Sequence, residues 1–184
     1  MNKAIISILG LDRAGIIATV SKVLFNQDCN IENVSQTTLQ FIFAGVFIVS
    51  MPEELSPESL KQSLKAEIGP LGFDVHITRL ESPGVPVSPP HSEAYVITTK
   101  GPDQKGLVAG ISEIIAQYDG NITNLQAVFK GGRDPGDNIM IYEVDIPPGT
   151  DQQALYRDLK KRATELNLDI DIHHRNIFEA MHRI

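Results

Sequence analysis

Several residue types that often mark a function are scarce or missing in this chain of 184 residues. It has no tryptophan and a single cysteine, Cys29, so no internal disulfide can form. Lysine and arginine total 16 against 23 aspartates and glutamates, and the resulting net charge of -7 removes the basic surface that nucleic-acid binding requires. No apolar run approaches the roughly 20 residues of a membrane span. We therefore expect no direct contact with nucleic acid and no membrane segment.

The beginning of the chain also lacks a targeting pattern. Residues 1–6 run straight into a strand-like pattern, without the apolar segment and small-residue cleavage site of a signal peptide. Hydrophobic residues make up 42% and charged residues 21% of the chain, which is typical of a globular protein. These features predict a cytoplasmic protein.

An internal repeat is the strongest pattern in the sequence. A shift of about 91 places residues 10–16 on 101–107 and residues 30–33 on 121–124, and farther on the shift becomes about 95. The second copy therefore carries a short insertion, which we place in the loop 130–138. The repeat predicts two domains of the same fold.

A proline-rich segment separates the two copies. Its four prolines lack backbone donors and favour an extended, semi-rigid conformation. We predict a first domain at residues 1–81, a linker at 82–92, and a second domain at 93–184 that ends in a short C-terminal extension.

Each copy changes its hydrophobic periodicity in the same order. Short β-branched runs at 4–9 and 95–99 are typical of strands, and helical spacing follows each of them. Paired strands are expected next, at about 31–40 with 43–51 and at about 122–130 with 138–146. A second helix and a last strand complete each copy, with Ser56-Pro57 and Thr150-Asp151 as helix starts.

The order βαββαβ, repeated twice, predicts the α+β class. A strand, a crossover helix, an antiparallel pair of strands and a second crossover form a ferredoxin-like sandwich with two helices on one face of an antiparallel sheet. The other face of the sheet must then be covered, which favours pairing of such units. Asp119-Gly120 is expected to cap the first helix of the second copy.

The loop between the first strand and the first helix is the best candidate binding site. Glycines allow a close backbone approach, and the helix start offers unpaired N–H groups and a positive dipole end to a carboxylate. An aspartate in the same loop suits an ammonium group. A plainer alternative is that the glycines only form the turn and the aspartate caps the helix. The residues concerned are Gly10, Asp12 and Gly15, with Gly101, Asp103 and Gly106.

These loops carry a resemblance to a known family. Residues 10–16 followed by Asn30-Ile31, and residues 101–107 followed by Asn121-Ile122, resemble the Gly-x-Asp-Arg-Pro-Gly-Ile and Asn-Ile pattern of ACT domains. The resemblance covers the whole chain as two such domains. It implies ligands held where paired ACT domains meet, by the first loop and the start of the second strand. The implied ligand-binding residues are Gly10, Asp12, Ala14, Gly15, Asn33, Gly101, Asp103, Gly106 and Asn124.

The resemblance also implies a function. ACT domains are regulatory modules, so we expect a non-catalytic protein that binds an amino acid such as glycine or serine and modulates a partner transcription factor. The alternatives are a detached regulatory subunit of a metabolic enzyme and a structural assembly module without ligand. A homo-oligomer is expected in each case. The family's proline is replaced by Ala14 and by Lys105, which leaves the identity of the ligand open.

The sequence also contains weaker candidates for functional residues. His173 and His174 should point to opposite faces of a strand, and no cluster completes a metal site, so neither a metal nor a cofactor is expected. We predict that Cys29 is a buried structural thiol. Phenylalanines 41, 43 and 47 suit either a partner-binding edge or ordinary core packing.

Overall fold

A computed structural model describes residues 2–80, 91–129 and 138–175. The chain divides into two compact units, with the boundary between Pro83 and Gly84. The predicted linker lies almost wholly outside the described residues, so its bounds at 82 and 92 stay a prediction. The predicted insertion ahead of Asn138 and the C-terminal extension after residue 175 also lie outside the described residues.

The first unit folds in the order βαββαβ. Its strands pair in the order β2-β3-β1-β4, and every pair is antiparallel. The first strand is therefore central and is hydrogen-bonded on both sides. The elements are β1 (Asn2–Leu11), α1 (Ile16–Asn26), β2 (Asn30–Leu39), β3 (Ile42–Met51), α2 (Pro57–Ile68), a short 3-10 helix (Gly69–Leu71) and β4 (Asp74–Leu80).

The second unit repeats this order and confirms the predicted fold class. Its sheet has the order β6-β7-β5-β8, again antiparallel throughout. The elements are β5 (Glu93–Gly101), α3 (Leu107–Gln117), β6 (Asn121–Phe129), β7 (Asn138–Ile146), α4 (Gln152–Glu165) and β8 (Asp169–His174). The predicted strands are present, with ends that differ from the expected ones by at most two residues, as is usual for element boundaries.

One face of each sheet packs against the two helices of its own unit. Ala4, Ile6 and Ile8 alternate along β1 and are at most 1% exposed, since side chains on a strand point to opposite faces in turn. The helices add their apolar faces to the same core, with Val20 and Leu64 fully buried. The opposite sheet face of the first unit carries exposed apolar side chains, namely Leu9, Leu11, Leu39 and Val46.

The three phenylalanines near the start of β3 do not form one surface. Phe43 and Phe47 are buried in the core, whereas Phe41 lies in the β2–β3 turn and is 67% exposed. Core packing thus accounts for two of the three. The exposed ring is the part of this run that stays available to a partner.

The expected cap at Asp119-Gly120 ends α3, as predicted. The left-handed residue is Asp119, with φ 55°, and Gly120 follows it. The Gly120 N–H donates to the Ile115 carbonyl at 3.0 Å. A Cβ at position 120 would lie 2.8 Å from Ile115 Cγ2 and 2.9 Å from Ile146 Cδ1, so glycine is needed here for close packing. Asp28, with φ 52°, makes the equivalent turn in the first unit.

Among the helices in the described part of the chain, none combines the length and the apolar character needed to cross a bilayer.

The predicted helix start at Ser56-Pro57 can be tested by mutation. The Ser56 side chain accepts a hydrogen bond from the Ser59 N–H at 3.1 Å, and Pro57 occupies the first helical position. Ser56→Ala should lower the free energy of unfolding of the first unit by about 1 kcal/mol, because one helix donor loses its partner. Ser63→Ala, in the middle of the same helix, is the control and should be neutral or slightly stabilising. Urea unfolding checks both, and equal midpoints for the two variants would contradict the capping role.

Candidate functional site

The candidate site is the loop that leads from the central strand to the first helix of each unit. Gly15 and Gly106 are the residues immediately before α1 and α3, and their φ angles are 89° and 87°. No side chain caps either helix. The first N–H groups of both helices are therefore left without a side-chain acceptor, at the positive end of the helix dipole. Such a helix start can bind a carboxylate.

The glycines at the strand ends have a different role. A Cβ at Gly10 would lie 2.5 Å from Phe73 Cδ1 and 2.9 Å from the Gly72 carbonyl oxygen. A Cβ at Gly101 would lie 2.7 Å from the Asn167 carbonyl oxygen. Both glycines let the central strand approach the segment that enters the last strand. Packing explains them without a ligand, and a direct contact with ligand stays a prediction for both.

The two aspartates differ between the units. Asp12 accepts a hydrogen bond from Thr38 Oγ1 at 3.2 Å, and its N–H donates to the Phe41 carbonyl at 2.8 Å. These bonds tie the first loop to the β2–β3 turn. Asp103 is exposed and has no hydrogen-bond partner within the described residues. The alternative in which the aspartate caps the helix is wrong, because Gly15 and Gly106 occupy that position.

The residues that replace the family's proline are both exposed. Ala14 and Lys105 directly precede the left-handed glycines, and Lys105 adds a positive charge beside the start of α3. Gln104 Nε2 donates to the Leu166 carbonyl at 2.5 Å and fastens the second loop to the end of α4. Each loop therefore carries one aspartate and one exposed basic residue, Arg13 in the first unit and Lys105 in the second.

The structure does not bring the predicted asparagines to the loops of their own units. Asn33 pairs with Ile48 just past a bulge in β2, five residues before Thr38, which faces the loop. Five residues of strand span about 17 Å. Asn124 occupies the equivalent place in β6, opposite Glu143. One small ligand cannot touch both the loop and the asparagine of a single unit.

Asn124 is engaged in a polar cluster instead. Its amide donates to Glu143 Oε1 at 2.9 Å, and the Arg175 guanidinium contacts the other carboxylate oxygen. The Asn124 hydrogen bond, assisted by the charge of Arg175, holds the pKa of Glu143 below its ordinary value of 4.5. This cluster joins β6, β7 and the end of β8, so it stabilises the sheet.

Two buried polar residues were missed from the sequence. Thr99 is fully buried and Asn138 is 3% exposed, and the Thr99 hydroxyl and both amide atoms of Asn138 lack hydrogen-bond partners in the part of the chain that the structure describes. An alignment of the two copies could have identified them, because the first unit has apolar Ile8 and Phe43 at the equivalent places. Buried polar groups are rarely left unpaired.

The remaining candidates carry no site chemistry. Cys29 is half-buried rather than buried, and burial, aided by the nearby Asp28 charge, raises the pKa of its thiol. A protonated thiol is a poor nucleophile. His174 lies against the Tyr95 ring at 5.3 Å, whereas His173 is on the other face of the strand. Within residues 2–80, 91–129 and 138–175, no three His, Cys, Asp or Glu side chains are grouped as metal ligands.

Two consecutive βαββαβ sandwiches, each with a glycine-bounded loop at an uncapped first helix, define the class of tandem ferredoxin-like domains. The chain belongs to the ACT domain family, whose model matches residues 2–78 and again residues 93–173.

Relatives of known sequence are shorter than this chain. A UPF0237 protein of Methanopyrus kandleri is 40% identical over 76 residues, which are 41% of this chain and 84% of the relative. A UPF0237 protein of Clostridium perfringens is 34% identical over 90 residues, 48% of this chain and 97% of the relative. Each relative thus corresponds in length to about one unit of this chain.

Solved structures match both units together. A protein of unknown function from Galdieria sulphuraria has a TM-score of 0.75 at 23% identity and covers 94% of this chain and 98% of its own. A candidate glycine cleavage system transcriptional repressor has a TM-score of 0.64 at 17% identity, with 94% and 96% covered. At these identities the likeness establishes the shared fold.

The close approach at Gly101 can be tested by adding a single methyl group. Gly101→Ala should destabilise the second unit by about 1–3 kcal/mol, because the new Cβ meets a backbone carbonyl that cannot move without shifting the strand. Gly69→Ala adds the same group where no residue outside its chain neighbours lies within 4 Å, and only the following Pro70 disfavours a Cβ in this helical conformation, so it should cost less than Gly101→Ala. Thermal unfolding measures both. A Gly101→Ala melting temperature equal to that of the wild type would refute the packing role.

The Glu143 cluster predicts a pH dependence. Because the pKa of Glu143 is lower in the folded chain, its stabilisation is complete above the ordinary value of 4.5 and is lost as the pH falls through the folded value. Glu143→Gln should therefore cost at most about 1 kcal/mol near pH 7, since the pair is partly exposed, and should make the loss of stability in acid less steep. Melting temperatures from pH 7 to about pH 3 test this. Glu67→Gln, on an exposed position of α2, is the control, and identical slopes for the two variants would exclude the cluster.

Proposed function

We propose that this chain is a non-catalytic regulatory protein that binds a small amino acid, such as glycine or serine, and thereby modulates a partner transcription factor. The observation that carries the proposal is the repeated loop, with a left-handed glycine before an uncapped helix in each unit. An amino acid has the matching groups, a carboxylate for the helix start and an ammonium for the aspartate.

The second loop is the better-equipped binder of the two. Asp103 is exposed and has no hydrogen-bond partner within the described residues, so its carboxylate can accept an ammonium group directly. One oxygen of Asp12 already accepts a hydrogen bond from Thr38, which holds this carboxylate toward the β2–β3 turn. Arg13 and Lys105 add attraction for the ligand carboxylate in the first and second loop alike, so the difference between the loops rests on the aspartates. We rest the proposal on the loop residues rather than on Asn33 and Asn124, which lie far from the loops of their own units.

The ligand would act by favouring one conformation of the protein over another. Binding can shift a conformational equilibrium only by the difference in affinity for the two states. The net charge of -7 favours a protein partner over direct contact with DNA. The shared fold of a candidate glycine cleavage system transcriptional repressor makes regulation of that system the first pathway to test.

Two other assignments are retained because the loops alone do not select a partner. The chain could regulate a separate metabolic enzyme, or it could be an assembly module whose loops bind nothing. Affinity capture from the native host separates the first two cases, since one predicts a transcription factor and the other an enzyme. An enzymatic role of the chain itself is not proposed, because fold alone assigns no activity.

We also propose that the chain associates with itself and acts in the cytoplasm. Exposed Leu9, Leu39 and Val46 lie on the sheet face opposite the helices, and covering them would remove apolar surface from water. The single cysteine suits a reducing compartment. Light scattering measures the mass in solution, and a monomer at micromolar concentration would contradict self-association.

The ligand proposal is tested by titrating the twenty amino acids against the full chain. A ligand at 100 times its Kd should raise stability by about 2.7 kcal/mol, which thermal shift detects, and calorimetry gives the affinity. Asp103→Ala should weaken binding more than Asp12→Ala, because Thr38 holds the Asp12 carboxylate toward the β2–β3 turn. Glu113→Ala, an exposed carboxylate on α3, is the control for the loss of charge.

Two results would count against amino-acid sensing. One is the absence of any shift with every amino acid near millimolar concentration. The other is unchanged binding in the double variant Asp12→Ala, Asp103→Ala. Either result would favour the assembly module.

A further inference from the structure

The second unit holds two polar side chains in a core that is otherwise apolar. Along β7, Asn138 is in phase with Met140, Tyr142 and Val144, which are all fully buried. On β5, Thr99 is likewise in phase with Ile97. These side chains face the helices, yet the Thr99 hydroxyl and the Asn138 amide have no hydrogen-bond partner in the described part of the chain. Burying an unpaired polar group costs stability, so the presence of these two residues in the core needs an explanation.

The position of this pair links it to the candidate site. Asn138 is the cross-strand partner of Gly101, the residue at which the loop to α3 begins. Thr99 pairs with Met140, so Thr99 and Asn138 are diagonal neighbours on one face of the sheet. Both therefore lie near the end of β5 where the loop to α3 begins, on the sheet face that packs against the helices. The uncapped N–H groups of α3 begin just after Gly106.

The first unit has apolar residues at the same places. Phe43 is the partner of Gly10, as Asn138 is of Gly101, and Ile8 corresponds to Thr99. The Phe43 ring packs edge-on against Phe73, with ring centroids 6.0 Å apart and an interplanar angle of 81°. In the first unit the space beneath the loop is therefore filled by hydrocarbon. At these equivalent backbone positions the first unit is therefore apolar and the second unit is polar.

We propose that Thr99 and Asn138 form the polar floor of the ligand site in the second unit. This inference rests on the proposed function and deepens it. The start of α3 binds the ligand carboxylate, while the floor supplies a hydroxyl and an amide that hydrogen-bond a polar side chain. The ligand class is a small amino acid with a side-chain hydroxyl or amide. The first unit, floored by Phe43 and Ile8, lacks this selectivity.

Access and selectivity follow from burial. Because Asn138 is only 3% exposed, a ligand reaches the floor only when the residues that cover it move aside. A ligand without a polar side chain would leave the amide unpaired. A site built to hydrogen-bond a hydroxyl rejects the analogue that lacks it. Serine should therefore bind at least about tenfold more tightly than alanine, a ligand of nearly the same size.

The test uses the full chain and two single variants, Asn138→Leu and Thr99→Val. Calorimetry with L-serine and L-alanine should show that each variant loses the preference for serine. Each variant should also melt at a higher temperature than the wild type without ligand, because an unpaired buried group has been removed. Thr98→Val is the matched control, since Thr98 neighbours Thr99 but lies on the opposite sheet face. It should keep the wild-type preference.

The possible failures are distinguishable. If the wild type binds serine over alanine and both variants do the same, the floor is refuted while amino-acid binding stands. If both variants melt below the wild type, the polar groups have partners such as ordered water in the folded chain, and the floor is again refuted. If the wild type binds none of the amino acids, the proposed function fails and the floor fails with it. Using two variants keeps the result decisive when one of them folds poorly.

Discussion

The structure of each unit depends on how closely the central strand approaches the segment that leads into the last strand. Gly10 lies against Gly72 and Phe73, and Gly101 lies against Asn167 and Leu168, at separations that leave no room for a side chain. This approach allows the central strand to pair on both sides, with β3 and β4 or with β7 and β8. It also determines where the strand ends and where the loop turns toward the helix. The loop occupies its place because the strands pack tightly beneath it.

The two copies show how a shared backbone can carry different chemistry. Both loops end in a left-handed glycine before an uncapped helix. Beneath the first loop an edge-on aromatic pair, Phe43 with Phe73, buries apolar surface and stabilises the unit. Beneath the second loop Asn138 and Thr99 bury polar groups at a cost. A cost of this kind is reasonable where a ligand supplies the missing partners, because function and maximal stability often oppose each other.

The two aspartates of the repeat illustrate the same divergence. The motif places Asp12 and Asp103 at equivalent positions, and from the sequence they have equal claims to a ligand. In the folded chain Asp12 is joined to the β2–β3 turn through Thr38. Asp103 has no such partner within the described residues. Equivalence in a repeat therefore extends to backbone geometry but not to the availability of a side chain.

The sequence by itself determined the features that depend on neighbouring residues. Periodicity predicted the βαββαβ order, Ser56-Pro57 predicted the start of α2, and the spacing of the glycines predicted a turn before each first helix. These are local choices, because a cap or a strand pattern involves residues a few positions apart. Only the tertiary structure decided which residue meets which across the sheet. Cross-strand register set Asn138 beside Gly101 and separated Asn33 from its own loop, and the close approach of Phe73 gave Gly10 a packing role. The sequence does not show these contacts, because the residues that meet are far apart in the chain and have no fixed spacing.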